Sequence, residues 1–319
     1  MRNLDNYPYS EKDGEYGGNS CLKEGLVIDD ENWLIKYPRN AAYLKRHEEL
    51  EYTNDTVSEY LGSHIYALLG YPVHDTFLAT RNNKIVVACK DFLKDNERLV
   101  ELRTLKNSAN NIMSERLERD FSSTGSDRVI EFEEILIHLQ YNQNLAKVPG
   151  IKKRFYDQLV IDALINNSDR NNGNWGIIRS RGKLDRLAPV FDNGGSFNGK
   201  TPDSRLLKML EDNNSSTALD AVMIYGEHGE RYLLRDIFNK DIPDLNAALI
   251  RNIPIIRVKM PEIYNLINSV EKIACSDIRK EFYIKTLTER FEKILIPAYN
   301  RAISQKKEIQ TNKTDDFMH

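Results

Sequence analysis

The chain has 319 residues, 40% of them hydrophobic and 29% charged, with 45 Lys and Arg against 48 Asp and Glu for a net charge of −3. That composition belongs to a folded globular protein and not to a disordered one. It argues against a dedicated nucleic-acid binder, which would carry a basic surface, so no nucleic acid is expected. No apolar run approaches the roughly 18 residues of a membrane span, and the opening MRNLDNYPYSEKDGEYGG lacks the apolar core of a signal peptide. Three widely spaced cysteines, Cys21, Cys89 and Cys275, form no CxxC pair. They suit a reducing compartment. The six histidines show no HxxxH or HxH spacing, so a histidine zinc site has little support.

In chain order, residues 25–37 (GLVIDDENWLIKY) predict two short strands joined by an acidic turn. Residues 54–69 change period: Val57, Tyr60, Leu61, His64, Ile65 and Leu68 share one helical face, and Gly70 supplies a stop. HDTFLAT and KIVVACKDF are two further β-rich runs around an RNN turn. Hairpin, helix, hairpin predicts a small sheet carrying one helix. Residues 107–127 are polar and read as an exposed connection.

Helical periodicity then dominates. Phe132, Ile135, Leu136 and Leu139 share a face, as do Phe155, Leu159, Ala163 and Leu164. Over 277–303, Ile278, Phe282, Leu287, Phe291, Ile294 and Leu295 form a long stripe, which Pro297 is expected to kink or end. The last sixteen residues are expected to fray. The expected fold is α+β and two-lobed: a small β-rich N-lobe over 1–100, a larger mostly helical C-lobe over 101–303 and a polar tail over 304–319. A ligand cleft would lie between the lobes.

Residues 161–196, IDALINNSDRNNGNWGIIRSRGKLDRLAPVFDNGGS, carry the chemistry. A helix gives out at Asn166-Asn167-Ser168, and Asp169 follows. Asn174 comes five residues later, in a loop (166–176) loosened by Gly173. A predicted β-hairpin then returns the chain to Asp192, followed by Asn193, Gly194 and Gly195. Phosphoryl transfer explains the set. One carboxylate takes the proton of the attacking hydroxyl, and a metal on the phosphates takes a second carboxylate and a carboxamide. Asp169 is therefore the candidate base, with Asn174 and Asp192 (Asp-x-Gly, 192–194) as candidate metal ligands. Taken alone, Asp-x-x-x-x-Asn is a common turn; the ordered combination is not.

Upstream, Lys36 in the apolar run WLIKY is the candidate phosphate-binding lysine, and Glu59 on the small-lobe helix its partner. Gly17-Gly18-Asn19-Ser20 offers backbone N–H groups to phosphates, with a flexible loop as the equal alternative. Residues 88–92, including Lys90, Asp91 and Phe92, end the last small-lobe strand as a hinge whose backbone would read adenine.

NNSDRNNGNWG with LAPVFDNGGS resembles the HipA-like serine/threonine kinases, especially their compact CtkA-type branch. The resemblance also takes in the GG-N-S segment, WLIKYPR, the SEY helix and KIVVACKDF, and so covers most of residues 15–200. It implies an ATP- and Mg²⁺-dependent protein kinase, with Asp169 the base, Asn174 and Asp192 the metal ligands and Lys36 the ATP lysine. It further implies self-phosphorylation, on Ser20 or on Ser122, Ser123, Thr124 or Ser126. The family usually has a histidine two or three residues after the catalytic Asp, where this chain has Asn171 and Asn172. The extra N-terminal subdomain of longer HipA toxins has no room before Gly17, which puts a HipB-type antitoxin partner in doubt. A cytoplasmic bacterial location is expected, with non-classical secretion as the open alternative.

Two other readings remain. Asp-Arg-x-x-x-Asn with Asp-x-Gly also resembles phosphoinositide kinases, but residues 196–216 mix basic and acidic groups where a lipid or small-molecule kinase would present a basic segment. A catalytically inactive kinase-fold interaction protein would have no need of Lys36, Asp169, Asn174 and Asp192 together.

Overall fold

The computed structural model describes residues 1–16, 21–44, 49–121, 123, 129–212 and 222–316. Five strands form the first sheet: Arg2–Asn3 (β1), Lys23–Ile28 (β2), Glu31–Lys36 (β3), Thr76–Arg81 (β4) and Lys84–Lys90 (β5). Their order is β1-β4-β5-β3-β2, with β1 parallel to β4 and the other pairs antiparallel. Both predicted hairpins close on paired left-handed residues, Asp29 and Asp30 (φ 54° and 63°) and Asn82 and Asn83 (φ 51° and 59°). Asp and Asn tolerate that conformation, whose twist matches the strands.

Leu26, Ile28, Ile35, Ala79, Val86 and Ala88 close a small core of their own with Leu4 and Tyr37. Helix α1 (Asp55–Leu68) packs on β4 and β5. Its predicted stripe is only part of what it buries. Val57, Leu61 and Ile65 are fully buried, but so are Glu59, Ser63 and Tyr66, while Tyr60, His64 and Leu68 are half-exposed. A helix covered on two sides must bury polar residues too, and these point at the cleft.

The connector is not the open loop its polarity suggests. Helix α3 (Asn110–Leu117) occupies its first part, directly after α2 (Leu102–Asn107). Lys106 pairs with Glu134 at 3.1 Å, both buried. Met113 is the one apolar side chain α3 buries, too little to show as a period. Ser122, Thr124 and Ser126 lie outside the described residues; Ser123 is exposed.

Strand β6 (Glu97–Glu101) forms a second sheet with the predicted hairpin. There are eleven strands in all among the described residues, and β7 (Ile130–Glu131) precedes that hairpin, made of β8 (Gly176–Ser180) and β9 (Arg186–Leu187). A third sheet joins β7 to β10 (Val222–Glu227) and β11 (Glu230–Leu233). Around these sheets lie α4 (Phe132–Tyr141), α5 (Gln143–Ala146), α6 (Ile151–Ile165), α7 (Asp203–Glu211) and α8 (Leu234–Phe238). Three long helices close the chain: α9 (Pro243–Ser269), α10 (Asp277–Arg290) and α11 (Ile296–Asp316). The α6 helix is buried almost throughout and packs on α9 and α10. Val73 bridges Val190 in parallel, fastening the chain after α1 to the segment before Asp192.

At the C-terminal end the expected fraying is corrected, and of the two outcomes expected at Pro297, a kink or an end, the end is ruled out. The stripe over 277–303 does not stop at Pro297: a π-helical turn, Phe291–Leu295, precedes it and α11 continues to Asp316. The tail from Ser304 therefore begins as helix and not as frayed chain. A wider turn accommodates a proline whose missing N–H and ring would break a regular α-helical ladder.

His138 in α4 is 1% exposed, and burial together with Lys106 pushes its imidazole down from 6.5 to about 4. Between those values the unfolded chain holds the extra proton, so this contribution to stability is complete above pH 6.5 and is lost as pH falls toward 4. His138→Gln is therefore expected to lose about 2 kcal/mol less stability than the parent between pH 7 and 5 in denaturant titrations. Parallel pH curves for the two proteins would contradict this.

Candidate active site

Helix α6 stops because Asn166 turns left-handed, at φ 55°. Asn167 then folds back: its N–H donates to the Asp162 carbonyl at 2.8 Å, and its amide donates to the Asp162 carboxylate at 3.2 Å. The Asn167 Oδ1 accepts the N–H of Asp169 at 3.2 Å. Asp169 is left exposed. Asn171 donates to its carboxylate at 3.2 Å, and Asn174 donates to its backbone carbonyl at 2.6 Å.

Arg170 turns the other way and is 3% exposed. Its Nε and Nη2 clasp both oxygens of Asp162 at 2.9 and 3.1 Å. Its Nη1 donates to the carbonyls of Asn174 and Phe191 at 2.8 and 2.6 Å, and Nη2 also reaches Asn193 Oδ1. All five N–H groups are thereby engaged. Burial opposes the guanidinium charge, but Asp162 more than offsets it and holds the group above its usual range. One side chain thus ties together the residues flanking Asp169, Asn174 and Asp192.

On the small-lobe side, Lys36 Nζ lies 3.0 Å from Glu59 Oε2 and 2.9 Å from Asp192 Oδ1. Burial works against this ammonium, yet Asp192 and Glu59 hold it well above the ordinary lysine range. Burial likewise disfavours the Glu59 carboxylate, and Lys36 and His74 hold it well below its ordinary range. The other Glu59 oxygen meets His74 Nε2 at 3.1 Å, and Oε2 also accepts the N–H of Gly194 at 3.2 Å. A carboxylate only accepts, so His74 carries its proton on Nε2.

Asp192 is itself left-handed, at φ 60°. Beyond it the backbone runs against the loop of Asp169. A Cβ on Gly195 would come within 2.7 Å of Asp169 Cβ and 2.8 Å of Asn167 Oδ1, so only glycine fits. Phe197 and Asn198 are also left-handed, at φ 57° and 55°. For Phe this costs roughly 1–3 kcal/mol. Its ring is buried beside Tyr283, 5.1 Å between centroids, and its N–H caps the Ile165 carbonyl at 3.0 Å.

The structure therefore brings Lys36, Glu59 and Asp192 into direct contact and joins Asp169 to Asn174. The hinge candidates divide. Lys90 reaches Glu31 at 3.1 Å, and Asp91 accepts from Lys12 at 2.7 Å, so both side chains are engaged elsewhere. Phe92 stacks on Phe191, 5.8 Å between centroids, one residue before Asp192. Gly17, Gly18, Asn19 and Ser20 lie outside the described residues. Sequence reading missed Arg170, Asp162, Asn193, Ser63 and His74. A charged residue beside the base was a usable signal for Arg170; Asp162 bonds Tyr66 across 96 residues and Asn193 bonds Ser63 across 130, and the polar pairings of His74 with Ser63 and Glu59 fall at no helical or strand period.

The donor set suits a hard divalent cation. Asn174 spends its amide N–H on Asp169, which keeps its carbonyl oxygen for a metal, and the Asp192 side chain is 43% exposed although one oxygen meets Lys36.

A small sheet with one helix, a helical second lobe and a lysine–glutamate pair facing an Asp-x-Gly are the parts of a protein-kinase-like phosphotransferase. The sequence matches no family model. It is 33% identical over 313 residues to the serine/threonine-protein kinase CtkA of Helicobacter pylori strain J99, covering 94% of this chain and 90% of that protein. The crystal structure of a Helicobacter pylori proinflammatory kinase CtkA superposes with a TM-score of 0.81 at 30% identity, covering 96% of this chain and 99% of the other. A Shewanella oneidensis HipA, in complex with HipB and operator DNA, gives a TM-score of 0.49 at 12% identity over 92% of this chain and 70% of that one. The chain belongs to the HipA-like serine/threonine kinases, on the CtkA-type branch.

Gly195→Ala should displace Asp169 without disturbing the cores. Phosphotransfer is expected to fall by about 10² or more, the scale of an ångström's misplacement. Melting within a few degrees of the parent and undiminished activity would together show that the close approach is not needed.

Proposed function

We propose that this kinase transfers the γ-phosphate of Mg²⁺-ATP to a serine or threonine hydroxyl of a protein, using Asp169 as base. Lys36 would hold ATP phosphates, while Asn174 and Asp192 would hold Mg²⁺, whose charge offsets that of the phosphates. The observation that carries this reading is the Lys36 ammonium, set between Glu59 at 3.0 Å and Asp192 at 2.9 Å. A buried lysine shared by two carboxylates, one of them more exposed, is poised to exchange part of that pairing for a phosphate.

The chain's own residues do the rest. Asp169 faces solvent and accepts the hydroxyl proton, while Asn171 at 3.2 Å fixes the rotation of its carboxylate. Asn171 would thereby support the base, in the place where the family resemblance led a histidine to be expected. Phe92 and Phe191 offer an aromatic surface beside the hinge for a flat base such as adenine. A cytoplasmic setting fits the free thiols of Cys21, Cys89 and Cys275. Self-phosphorylation on Ser20 or on the connector at Ser122, Ser123, Thr124 or Ser126 completes the reading, and mass spectrometry after incubation with ATP would reveal it.

Asp169→Asn keeps size and turn geometry but removes the base. It should fold and bind Mg²⁺-ATP normally while phosphotransfer falls by about 10² or more. Transfer at near the parent rate would sink the assignment. Asp192→Ala should instead weaken Mg²⁺-ATP binding itself, and unchanged nucleotide affinity in that variant would remove Asp192 from the metal site.

A further inference from the structure

The catalytic loop runs directly into β8, which carries the chain away from the site to a turn at Gly182 (φ 75°) and then into β9. Beside β8 lies β6, the first strand after the hinge. The outer end of these strands forms an open pocket of about 620 Å³ that no step of the chemistry above uses. Four cations line it, Arg98, Arg179, Arg181 and Lys183, against two carboxylates, Glu97 and Asp185. In a chain of net charge −3 this is a local reversal of sign.

The register of the sheet sets the cations there. Arg98 and Arg179 are directly opposed on antiparallel β6 and β8, so their side chains leave the same face. Like charges at opposed positions repel, and an anion between them removes that cost. Arg179 is partly answered: its Nε and Nη2 donate to Asp185 at 3.0 and 2.6 Å. Glu97 is turned to Arg186 at 2.8 Å. Arg98, Arg181 and Lys183 are exposed, and the side chain of none of them joins a hydrogen bond or ion pair with a described residue.

These charges are spread over two strands and a turn, and not gathered on one point. Carboxylates along an extended peptide, whose alternate side chains stand roughly 7 Å apart on one face, match such a spread better than a single phosphate does. Guanidinium forks pair with carboxylates in two parallel hydrogen bonds, which fixes the direction of the peptide as well as its charge.

We propose that this pocket docks an acidic, Asp- or Glu-rich segment of the protein substrate while a serine or threonine elsewhere in the same substrate enters the site. The inference rests on the kinase function proposed above. Strand β8 has five residues, from Gly176 to Ser180. The pocket therefore lies roughly 17 Å from the end of the catalytic loop, a span that an extended chain covers in about five residues. The acidic segment is accordingly separated from the acceptor by at least that length of chain. Tethering raises the concentration of the acceptor at Asp169 without touching the reacting atoms. Its signature lies in KM and not in kcat.

The combined variants Arg98→Ala/Arg181→Ala/Lys183→Ala and Arg98→Glu/Arg181→Glu/Lys183→Glu test this in the full chain. All three positions are exposed, so both variants should melt within a few degrees of the parent. Binding of a labelled glutamate-rich peptide is read by fluorescence anisotropy, with a glutamine peptide, a single-stranded oligonucleotide and phosphatidylserine vesicles as competitors. Turnover is read on one serine peptide, made with and without a glutamate tail beyond the stated separation. The parent should bind the glutamate peptide and not the glutamine one, and the alanine variant should bind it about ten-fold more weakly, the combined size of three exposed ion pairs. KM for the tailed peptide should rise by a similar factor with kcat unchanged, while parent and variant treat the untailed peptide alike. The charge-reversed variant should prefer a lysine tail. Equal KM for the tailed peptide in parent and alanine variant would overturn the proposal, and so would a lower kcat on the untailed peptide, which would mean damage to the site. Tighter binding of the oligonucleotide or the vesicles, lost with the same three side chains, would overturn it in favour of another partner. If the parent transferred phosphate neither to a peptide nor to itself, the kinase function would fall and this role with it; transfer to both peptides with no advantage from the tail would sink the docking site alone.

Discussion

Everything in the cleft depends on burying charge without stranding it. Lys36, Glu59, Arg170 and Asp162 are all withdrawn from water, and an unpaired ion in any of these positions would cost several kcal/mol. The two ion pairs are linked. Arg170 reaches Asn193 Oδ1, and Asn193 donates to Ser63 Oγ at 3.0 Å. Ser63 meets His74 Nε2 at 3.2 Å, and His74 meets Glu59, which holds Lys36. A continuous polar chain therefore runs from the loop of the base to the lysine of the first sheet.

That chain couples the two lobes. Glu59 and Ser63 sit on α1, a helix of the first lobe, while Asn193 and Gly194 belong to the segment after the second lobe's hairpin. Gly62 enforces the closeness: a Cβ there would lie 2.6 Å from Asn193 Cβ. Moving α1 away would strand Lys36, Glu59 and Asn193 at once, so partial opening at this point is disfavoured as a unit. Backbone contacts repeat the constraint. Val190 N–H donates to the Pro72 carbonyl at 2.8 Å, and the Val190 carbonyl accepts from His74. Motion that admits nucleotide is accordingly easier at elements that touch neither Val190 nor Asn193.

How much of this could be read from the sequence follows from how far apart the partners lie. Period-2 and period-3.6 patterns exposed both small-lobe hairpins, α1, α4, α6 and the hairpin before Asp192, because each needs only neighbours in the chain. Asp169, Asn174 and Asp192 stood out by their ordered spacing around a predicted hairpin, Lys36 by its place in the apolar run WLIKY, and Glu59 as the carboxylate on the one small-lobe helix. Helix α9 was missed since Pro254 and Pro261 lie inside it, and a proline reads as a helix stop. The first part of the connector was missed because α3 buries one apolar side chain. His74, Ser63 and Asn193 were illegible for another reason: each is polar, short-range in reach and satisfied by a partner on another element.

The amides that follow Asp169 also become intelligible in these terms. A histidine beside the base could exchange protons with it, whereas Asn171 can only donate a hydrogen bond to the Asp169 carboxylate. Its own Oδ1 accepts the Gly173 N–H at 2.8 Å, so the amide is oriented by the loop and cannot flip without losing that bond. Asn174 in turn is fixed by its bond to the Asp169 carbonyl. The loop is thus held by side-chain amides on its outer face and by the Arg170 guanidinium beneath. If Asp169 takes the hydroxyl proton as proposed, none of these contacts is titratable, and the exposed carboxylate would release it to solvent.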